Sequence, residues 1–312
     1  MRLLVTGGLG FIGSHFVRYA LTRSDVTSVA VLDSMTYAAD LSRLEGLDGD
    51  FELIVGSIAD PEVVDRAVSR VDAVVNFAAE SHNDNSLKGP RVFYDTNVTG
   101  LLVLADACVR NEVRLHHVST DEVFGDMPFE SSEKFTRLSR LNPSSPYSAS
   151  KAAGDLALHA WARSFGLAYT ISNCSNNFGS GQHAEKLIPT IFRHLSQGKP
   201  APIYGSGTNI RDWIHVSDHV TGIFAAITTG KLGETYLLGA SDEVANIDLA
   251  LKIGDFFGLG PSDSVSFVTD RPGHDRRYAI DWEHSGSELG WKPTHPKLLE
   301  SIPELARYYS AN

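Results

Sequence analysis

Two adjacent carboxylates, Asp121 and Glu122, follow Thr120 directly after an apolar run at residues 115–119, and Lys151 lies four residues past Tyr147. Positions four apart share one face of a helix, so the phenol and the ammonium would stand side by side. A nearby ammonium favours phenolate and should draw the Tyr147 pKa down from about 10 toward neutrality. That would make Tyr147 a usable base for a hydroxyl proton. Alone, the pair also fits an ordinary amphipathic helix, and the two acids fit a solvated loop with a helix cap. Held together in a site, neighbouring acids offer more, because their pKa values are pushed apart and one can take a proton while the other gives one. A third constellation opens the chain: Thr6-Gly7-Gly8-Leu9-Gly10-Phe11-Ile12-Gly13. Gly7, Gly10 and Gly13 suit a backbone that must leave a strand sharply and approach a pyrophosphate, with the next helix aiming its free N–H groups at the anion. Asp33 follows Gly13 by about 20 residues, where a carboxylate can accept the ribose hydroxyls of NAD and repel the extra phosphate of NADP.

These groups need a scaffold that brings distant segments to one edge. Short β-branched runs at 3–5, 29–32, 51–55, 73–77 and 115–119 read as strands. Helical patterns at 11–21, 61–69 and 90–111 lie between them, with Asp60 and Pro61 as cap and first position of the second. The alternation predicts an α/β fold, a doubly wound parallel sheet of the Rossmann type. Ligands of such sheets bind at the carboxyl ends of the strands, where Thr120-Asp121-Glu122 falls. Beyond residue 175 the pattern loosens around Gly179, Gly181, Gly198, Pro200, Gly205 and Gly207. Residues 1–175 are thus expected to form an NAD-binding domain, with later segments re-entering it, and 176–312 a smaller mixed α/β substrate lobe. A final helix is expected at 298–309, weakened by Pro303 inside it.

With 312 residues, 42% of them hydrophobic, the chain can bury one large core or two sharing a seam. Its formal charge is -11, from 27 basic and 38 acidic residues, which disfavours non-specific nucleic-acid binding. Cys108 and Cys174 show no metal spacing and read as buried reduced thiols; no metal is expected. No apolar run is expected to span a membrane and no basic leader precedes the first strand, so a cytoplasmic protein is the expectation.

Several stretches resemble one family. Tyr147-Ser148-Ala149-Ser150-Lys151 and the glycine spacing are those of the extended short-chain dehydrogenase/reductase superfamily. Ala78-Ala79-Glu80-Ser81-His82, Ser119-Thr120-Asp121-Glu122-Val123-Phe124-Gly125 and Asn142-Pro143-Ser144-Ser145-Pro146-Tyr147 resemble the dTDP-glucose 4,6-dehydratases. So do Ser175-Asn176-Asn177-Phe178-Gly179, Glu185-Lys186-Leu187-Ile188-Pro189, Arg211-Asp212-Trp213 and the run from Asp270 to Tyr278. The similarity extends from Met1 to about Trp291.

The resemblance implies oxidation of the sugar at carbon 4, loss of water across carbons 5 and 6, and hydride return to carbon 6, with tightly bound NAD regenerated each turnover. It makes Glu122 the base at carbon 5, Asp121 the acid at carbon 6, and Thr120 a partner of the carbon 4 oxygen. Beside Tyr147 and Lys151, it implies cofactor contacts from Gly7, Gly10, Phe11, Ile12, Gly13, Asp33, Ser34, Met35, Thr36, Ser57, Ile58, Ala78, Ala79, Glu80, Ser81, Thr96 and Asn177. Substrate contacts are implied for His82, Thr120, Asn176, Lys186, Leu187, Pro202, Ile203, Tyr204, Arg211, Asn246, Asp270, Arg271 and His274. For the arginines there is also a physical case, since guanidinium forks suit phosphate oxygens. The implied assembly is a homodimer paired through helices at about 92–110 and 147–165, with Leu101, Leu102, Leu104 and Ala105 either on that surface or facing the sheet.

The chain departs from the family pattern at Ser57, where Asp is usual, at Asn85, where Arg is frequent, and at Phe124 and Phe178, where Tyr is common. Its C-terminal stretch is expected to be shorter than is typical. A 4,6-dehydratase of UDP-glucose or GDP-mannose is an alternative that differs only in the base pocket. A UDP-sugar 4-epimerase or decarboxylase would share Tyr147 and Lys151 but need neither Asp121 nor Glu122. A non-catalytic NAD-binding sensor typically lacks the Tyr or the Lys.

Overall fold

Leu3, Leu4 and Val5 are fully buried, as a strand covered on both faces requires, and each such side chain contributes about 1.5–3 kcal/mol of hydrophobic stabilisation. They form β1 (Arg2–Thr6) in a computed structural model that describes residues 1–47 and 50–310. The next strands are β2 (Ser28–Asp33), β3 (Phe51–Val55), β4 (Ala73–Asn76), β5 (Arg114–Thr120) and β6 (Tyr169–Cys174). All pair in parallel, in the order β3-β2-β1-β4-β5-β6. The order reverses between β1 and β4, which opens a crevice at their carboxyl ends.

After β7 (Asn176–Phe178), β8 (Ala201–Tyr204) and β9 (Ile210–His215), the chain returns as β10 (Thr235–Leu238), which pairs with β6 as the seventh strand. β11 (Glu243–Ala245) joins β9 and β7 in a small mixed sheet, and β12 (Val265–Val268) pairs with β8. One face of the large sheet is covered by helices Phe11–Leu21 and Val216–Thr228, whose Phe16, Val17, Val220 and Ile223 share a core with Leu3, Val5 and Val31. The other face carries helices Pro61–Val68, Leu101–Arg110 and Pro146–Phe165. A separate core lies beneath Leu187–Ser196 and Asn246–Phe256.

The helical stretch expected at 90–111 is present but divided: Arg91–Tyr94, a π-helical segment Asp95–Gly100, then Leu101–Arg110. The whole stretch, Arg91–Arg110, is long and apolar enough to span a membrane by length and composition, which the sequence expectation did not allow. Its composition has another cause, since Phe93, Leu101, Leu104, Ala105, Ala107 and Cys108 are buried in the fold. Leu101, Leu104 and Ala105 therefore face the sheet and offer no subunit surface. The last helix is Ile302–Tyr309, starting later than expected, with Pro303 in its first turn, where a missing N–H removes no helical bond.

Candidate active site

The glycine turn is shaped by close approach. Gly7 has φ +69°, and a Cβ there would lie 2.6 Å from the Ala78 nitrogen; at Gly13 it would lie 2.2 Å from the Gly7 oxygen. Gly10 caps helix Phe11–Leu21 without a side-chain hydrogen bond, so the first-turn N–H groups of Phe11, Ile12 and Gly13 are left for an anion. Asp33, buried at the end of β2, accepts from the Leu9 N–H at 3.0 Å and the Met35 N–H at 2.9 Å. Each carboxylate oxygen keeps a second lone pair for a ribose hydroxyl. Ser34, Met35 and Thr36 are exposed just beyond it, Ser57 and Ile58 follow β3, and Ala78 to Ser81 follow β4. A cradle that a Cβ would fill, a helix start and a carboxylate at the next strand end fit the pyrophosphate and ribose of NAD.

Ile58 is a correction of detail: it is buried against Gly100 and can offer a ligand only its backbone. The Ser57 hydroxyl accepts from the Ala59 N–H at 3.1 Å. Thr96 lies in the π-helical segment, where the next residue, Asn97, holds the Glu80 backbone from both sides, at 2.9 and 3.0 Å. Asn177 is anchored by His219, at 2.8 Å, and by the Ser175 carbonyl, at 3.0 Å.

β5 delivers the acids. It ends at Thr120, whose hydroxyl accepts from the Glu122 N–H at 3.3 Å and caps the 3-10 turn Asp121–Phe124. Asp121 is fully enclosed, and its Oδ2 has no partner. Burial pushes its pKa well above the usual carboxylate value, and the negative charges of Glu122 and Asp212 push the same way. Glu122 Oε2 accepts from Asn83 Nδ2 at 2.7 Å. Tyr147 and Lys151 lie near the start of helix Pro146–Phe165, which a Ser145–Ser148 capping box fixes at its entry.

The expected lowering of the Tyr147 pKa by Lys151 is not found. Burial pushes the phenol well above its ordinary value, Glu122 adds to this, and a hydrogen bond with Thr120 opposes it. The Lys151 ammonium turns instead to His117 Nε2 at 3.1 Å and the Val118 carbonyl at 2.8 Å. Burial lowers its own pKa to about 8, with Asp155 opposing.

On the far side of the acids, the Arg211 guanidinium lies 4.5 Å above the Tyr278 ring and donates to the Ile210 and Asp275 carbonyls at 2.7 and 2.9 Å. Arg271 reaches Asp84 at 3.5 Å, and the Tyr204 hydroxyl donates to the same carboxylate at 2.8 Å. Lys186, the residue before Leu187 and its helix, donates to the Ser81 carbonyl at 3.1 Å. His274 pairs with Asp270 at 2.7 Å, and His82 lies 3.7 Å from Glu185. The negative charge of Glu122 acts upward on the pKa values of Asp121, Tyr147 and Tyr278, and on that of Lys186 against the larger lowering by burial, so these groups surround one carboxylate. Five residues of this region each carry a buried polar atom without a partner: Asn83 Oδ1, Asp121 Oδ2, Asn176 Oδ1, Asn246 Oδ1 and Arg271 Nε. Each costs about 1–3 kcal/mol unless something fills it, which marks the crevice as a binding site. Pro202 and Ile203 sit on β8; Ile203 is buried in the lobe core and its side chain is not available to a ligand. A cavity of about 600 Å³ between helices Phe11–Leu21 and Val216–Thr228, lined by His15, Arg18 and Lys292 among others, contains none of these residues.

Asn83, Asp84, His117 and Asp155 were not found from the sequence. Asn83 and Asp84 directly follow the 78–82 stretch, but nothing in their types announced that one would meet Glu122 and the other Arg271. At the departures, Phe124 stacks on Phe135 with ring centres 5.2 Å apart, and Phe178 meets His215 edge-on. Asn85 bonds Tyr37.

The GDP-mannose 4,6 dehydratase family profile matches residues 4–301. A dTDP-glucose 4,6-dehydratase of Mycolicibacterium smegmatis is 46% identical over 312 residues, covering 100% of this chain and 94% of that protein. The crystal structure of DesIV, a dTDP-glucose 4,6-dehydratase from Streptomyces venezuelae with NAD and TYD bound, superposes with a TM-score of 0.94 at 43% identity, covering 100% of this chain and 98% of that one. A UDP-glucose 4-epimerase from Thermotoga maritima reaches a TM-score of 0.91 at 25% identity, covering 100% and 99%. The scaffold is thus shared across reactions. By sequence over its full length and by fold, the chain belongs to the dTDP-glucose 4,6-dehydratases of the GDP-mannose 4,6 dehydratase family.

Proposed function

We propose that this chain converts dTDP-glucose to dTDP-4-keto-6-deoxyglucose. The observation that carries the reading is the unlike treatment of Asp121 and Glu122, adjacent acids facing Tyr147: one is enclosed with its pKa raised, the other held by an amide. An epimerase needs no such pair, because no water leaves. When bound, NAD would supply the hydride chemistry, as acceptor at carbon 4 and donor at carbon 6. The positive charge of the nicotinamide, when NAD is bound, would favour the phenolate of Tyr147 against the burial that raises its pKa here, and that phenolate, hydrogen-bonded with Thr120, receives the proton of the carbon 4 hydroxyl. Glu122 removes the proton of carbon 5, acidified by the neighbouring ketone. Asp121, whose protonated form burial favours, gives its proton to the departing carbon 6 hydroxyl, which leaves as water; Glu122 then returns a proton to carbon 5 as hydride reaches carbon 6, and the proton taken up by Tyr147 replaces the one Asp121 gave. Lys186, Arg211, Arg271 and His274 hold the nucleotide diphosphate, and the orphaned amide oxygens of Asn176 and Asn246 accept its donors. Incubation with dTDP-, UDP-, GDP- and CDP-glucose tests this, read by the ultraviolet absorbance that 4-keto-6-deoxy sugars develop in alkali. Absorbance with dTDP-glucose is expected; none with any of them defeats the reading.

A homodimer fits the surface. The helices Leu101–Arg110 and Pro146–Phe165 are tied by Trp161 to Asp106 at 2.6 Å and expose Val92, Leu156 and Phe165 by 47%, 58% and 58% around them. Light scattering should give twice the chain mass. Two buried free thiols and a nucleotide-sugar substrate support a cytoplasmic site of action.

A further inference from the structure

Asn83 opens the helix Asn83–Lys88, just past His82. Its Nδ2 donates to Glu122 Oε2 at 2.7 Å, while its Oδ1 is buried with no partner. Both atoms sit on one planar carbon, so fixing the donor on the carboxylate aims the acceptor away from it. The backbone beneath is also held: the Ser86 hydroxyl donates to the Asn83 carbonyl at 2.6 Å, and the neighbouring Asp84 joins Tyr204 and Arg271. An amide on a fixed backbone, with one end bonded and the other buried and empty, has the form of a contact awaiting a hydroxyl.

We infer that Asn83 is a positioning residue of the dehydration: Nδ2 anchors one oxygen of Glu122 so that the other meets carbon 5, and Oδ1 accepts a hydrogen bond from a sugar hydroxyl. The inference rests on the reading of Glu122 as the carbon 5 base. A glutamate side chain has three free torsions, and misplacing a reacting group by an ångström can slow a reaction about 100-fold. One short bond to a carboxylate oxygen removes most of that freedom. Because the same amide would touch the sugar, base and substrate are aligned by one group. Oxidation at carbon 4, which uses Tyr147, does not pass through Asn83.

Rapid mixing of the purified, NAD-loaded protein with dTDP-glucose separates the two steps. Reduced nicotinamide reports oxidation, and alkaline absorbance reports dehydrated product. In Asn83→Leu, oxidation should keep its rate, dehydration should slow by about 10-fold or more, and reduced nicotinamide should accumulate. KM should rise from loss of the hydroxyl contact. Asn83→Asp, the same shape with the donor replaced by a like charge, should slow dehydration at least as much, and serves if Asn83→Leu does not fold. If Glu122→Gln is slow while both Asn83 variants dehydrate at the parent rate, the inference on Asn83 fails and the base assignment stands. If Glu122→Gln itself keeps the parent rate, the base assignment fails and takes this inference with it. Equal slowing of oxidation and dehydration in both Asn83 variants would mark a merely structural residue and also overturn it.

Discussion

Asp121 Oδ2 is buried with no hydrogen-bond partner, while the next residue, Glu122, presents Oε2 to Asn83 at 2.7 Å. Two carboxylates one residue apart are thus placed in unlike surroundings. Enclosure favours the protonated form of the first; a directed donor fixes the second. Asp121 Oδ1 accepts only from the Thr120 hydroxyl, at 3.3 Å, so burying Oδ2 without a partner gives up stability that a solvated loop would have kept, and the proposed reaction explains why such a group is retained.

Glu122→Gln should leave binding nearly intact and slow dehydration by roughly 100-fold or more, the scale of one proton-transfer group. Carbon 4 oxidation should then outrun elimination, so reduced nicotinamide builds up on mixing with dTDP-glucose. An unchanged rate removes Glu122 from its role.

Asp121→Asn should lose activity and gain stability. The folded Asp121 pKa is raised above the ordinary value of 3.8, so the folded state binds the proton more tightly than the unfolded chain. Its contribution is fully present below that value and is lost as pH rises through the folded pKa. The neutral amide escapes that loss. Thermal melts should show Asp121→Asn and the parent alike near pH 3, with the variant increasingly favoured as pH rises toward neutrality. A gap that shrinks with rising pH would contradict the assignment.

Arg271→Ala should act on binding. A charge-assisted hydrogen bond contributes about 1.5–3 kcal/mol, so KM for dTDP-glucose should rise roughly 10- to 100-fold with kcat less affected. Inhibition by thymidine diphosphate should weaken in parallel. Equal inhibition of parent and variant would place Arg271 away from the diphosphate.

Gly13→Ala has no room for its methyl, which would lie 2.2 Å from the Gly7 oxygen. The turn must move, and the purified variant should retain little NAD when the released nucleotide is quantified. Full retention would show that the turn is not the pyrophosphate cradle.

Much of the scaffold is legible in the residues, for identifiable reasons. Helix Phe11–Leu21 and strand Phe51–Val55 stand where glycine punctuation and β-branched runs put them, because both signals are local. The π-helical turn at Asp95–Gly100 is not local: it depends on Gly100 packing against Ile58 and on Asn97 reaching Glu80. Pro303 weakened a helix that starts later than its pattern suggested and so places the proline in its first turn. Type and spacing single out the acids, Tyr147 and Lys151, but not their electrostatics. Lys151 was expected to serve the phenol, yet it binds His117 and the Val118 carbonyl, neither of which spacing could reveal. Asn83 escaped for a related reason, since its partner is 39 residues away and an asparagine after a histidine carries no signal of its own.

The most direct test is to run the protein with dTDP-glucose in deuterated water and identify the product by NMR. The account predicts a 4-keto-6-deoxy sugar carrying deuterium at carbon 5, from return of a solvent-exchanged proton, and a carbon 6 methyl that keeps the hydride taken from carbon 4. A carbon 4 epimer formed without loss of water, or recovery of unchanged dTDP-glucose, would contradict it.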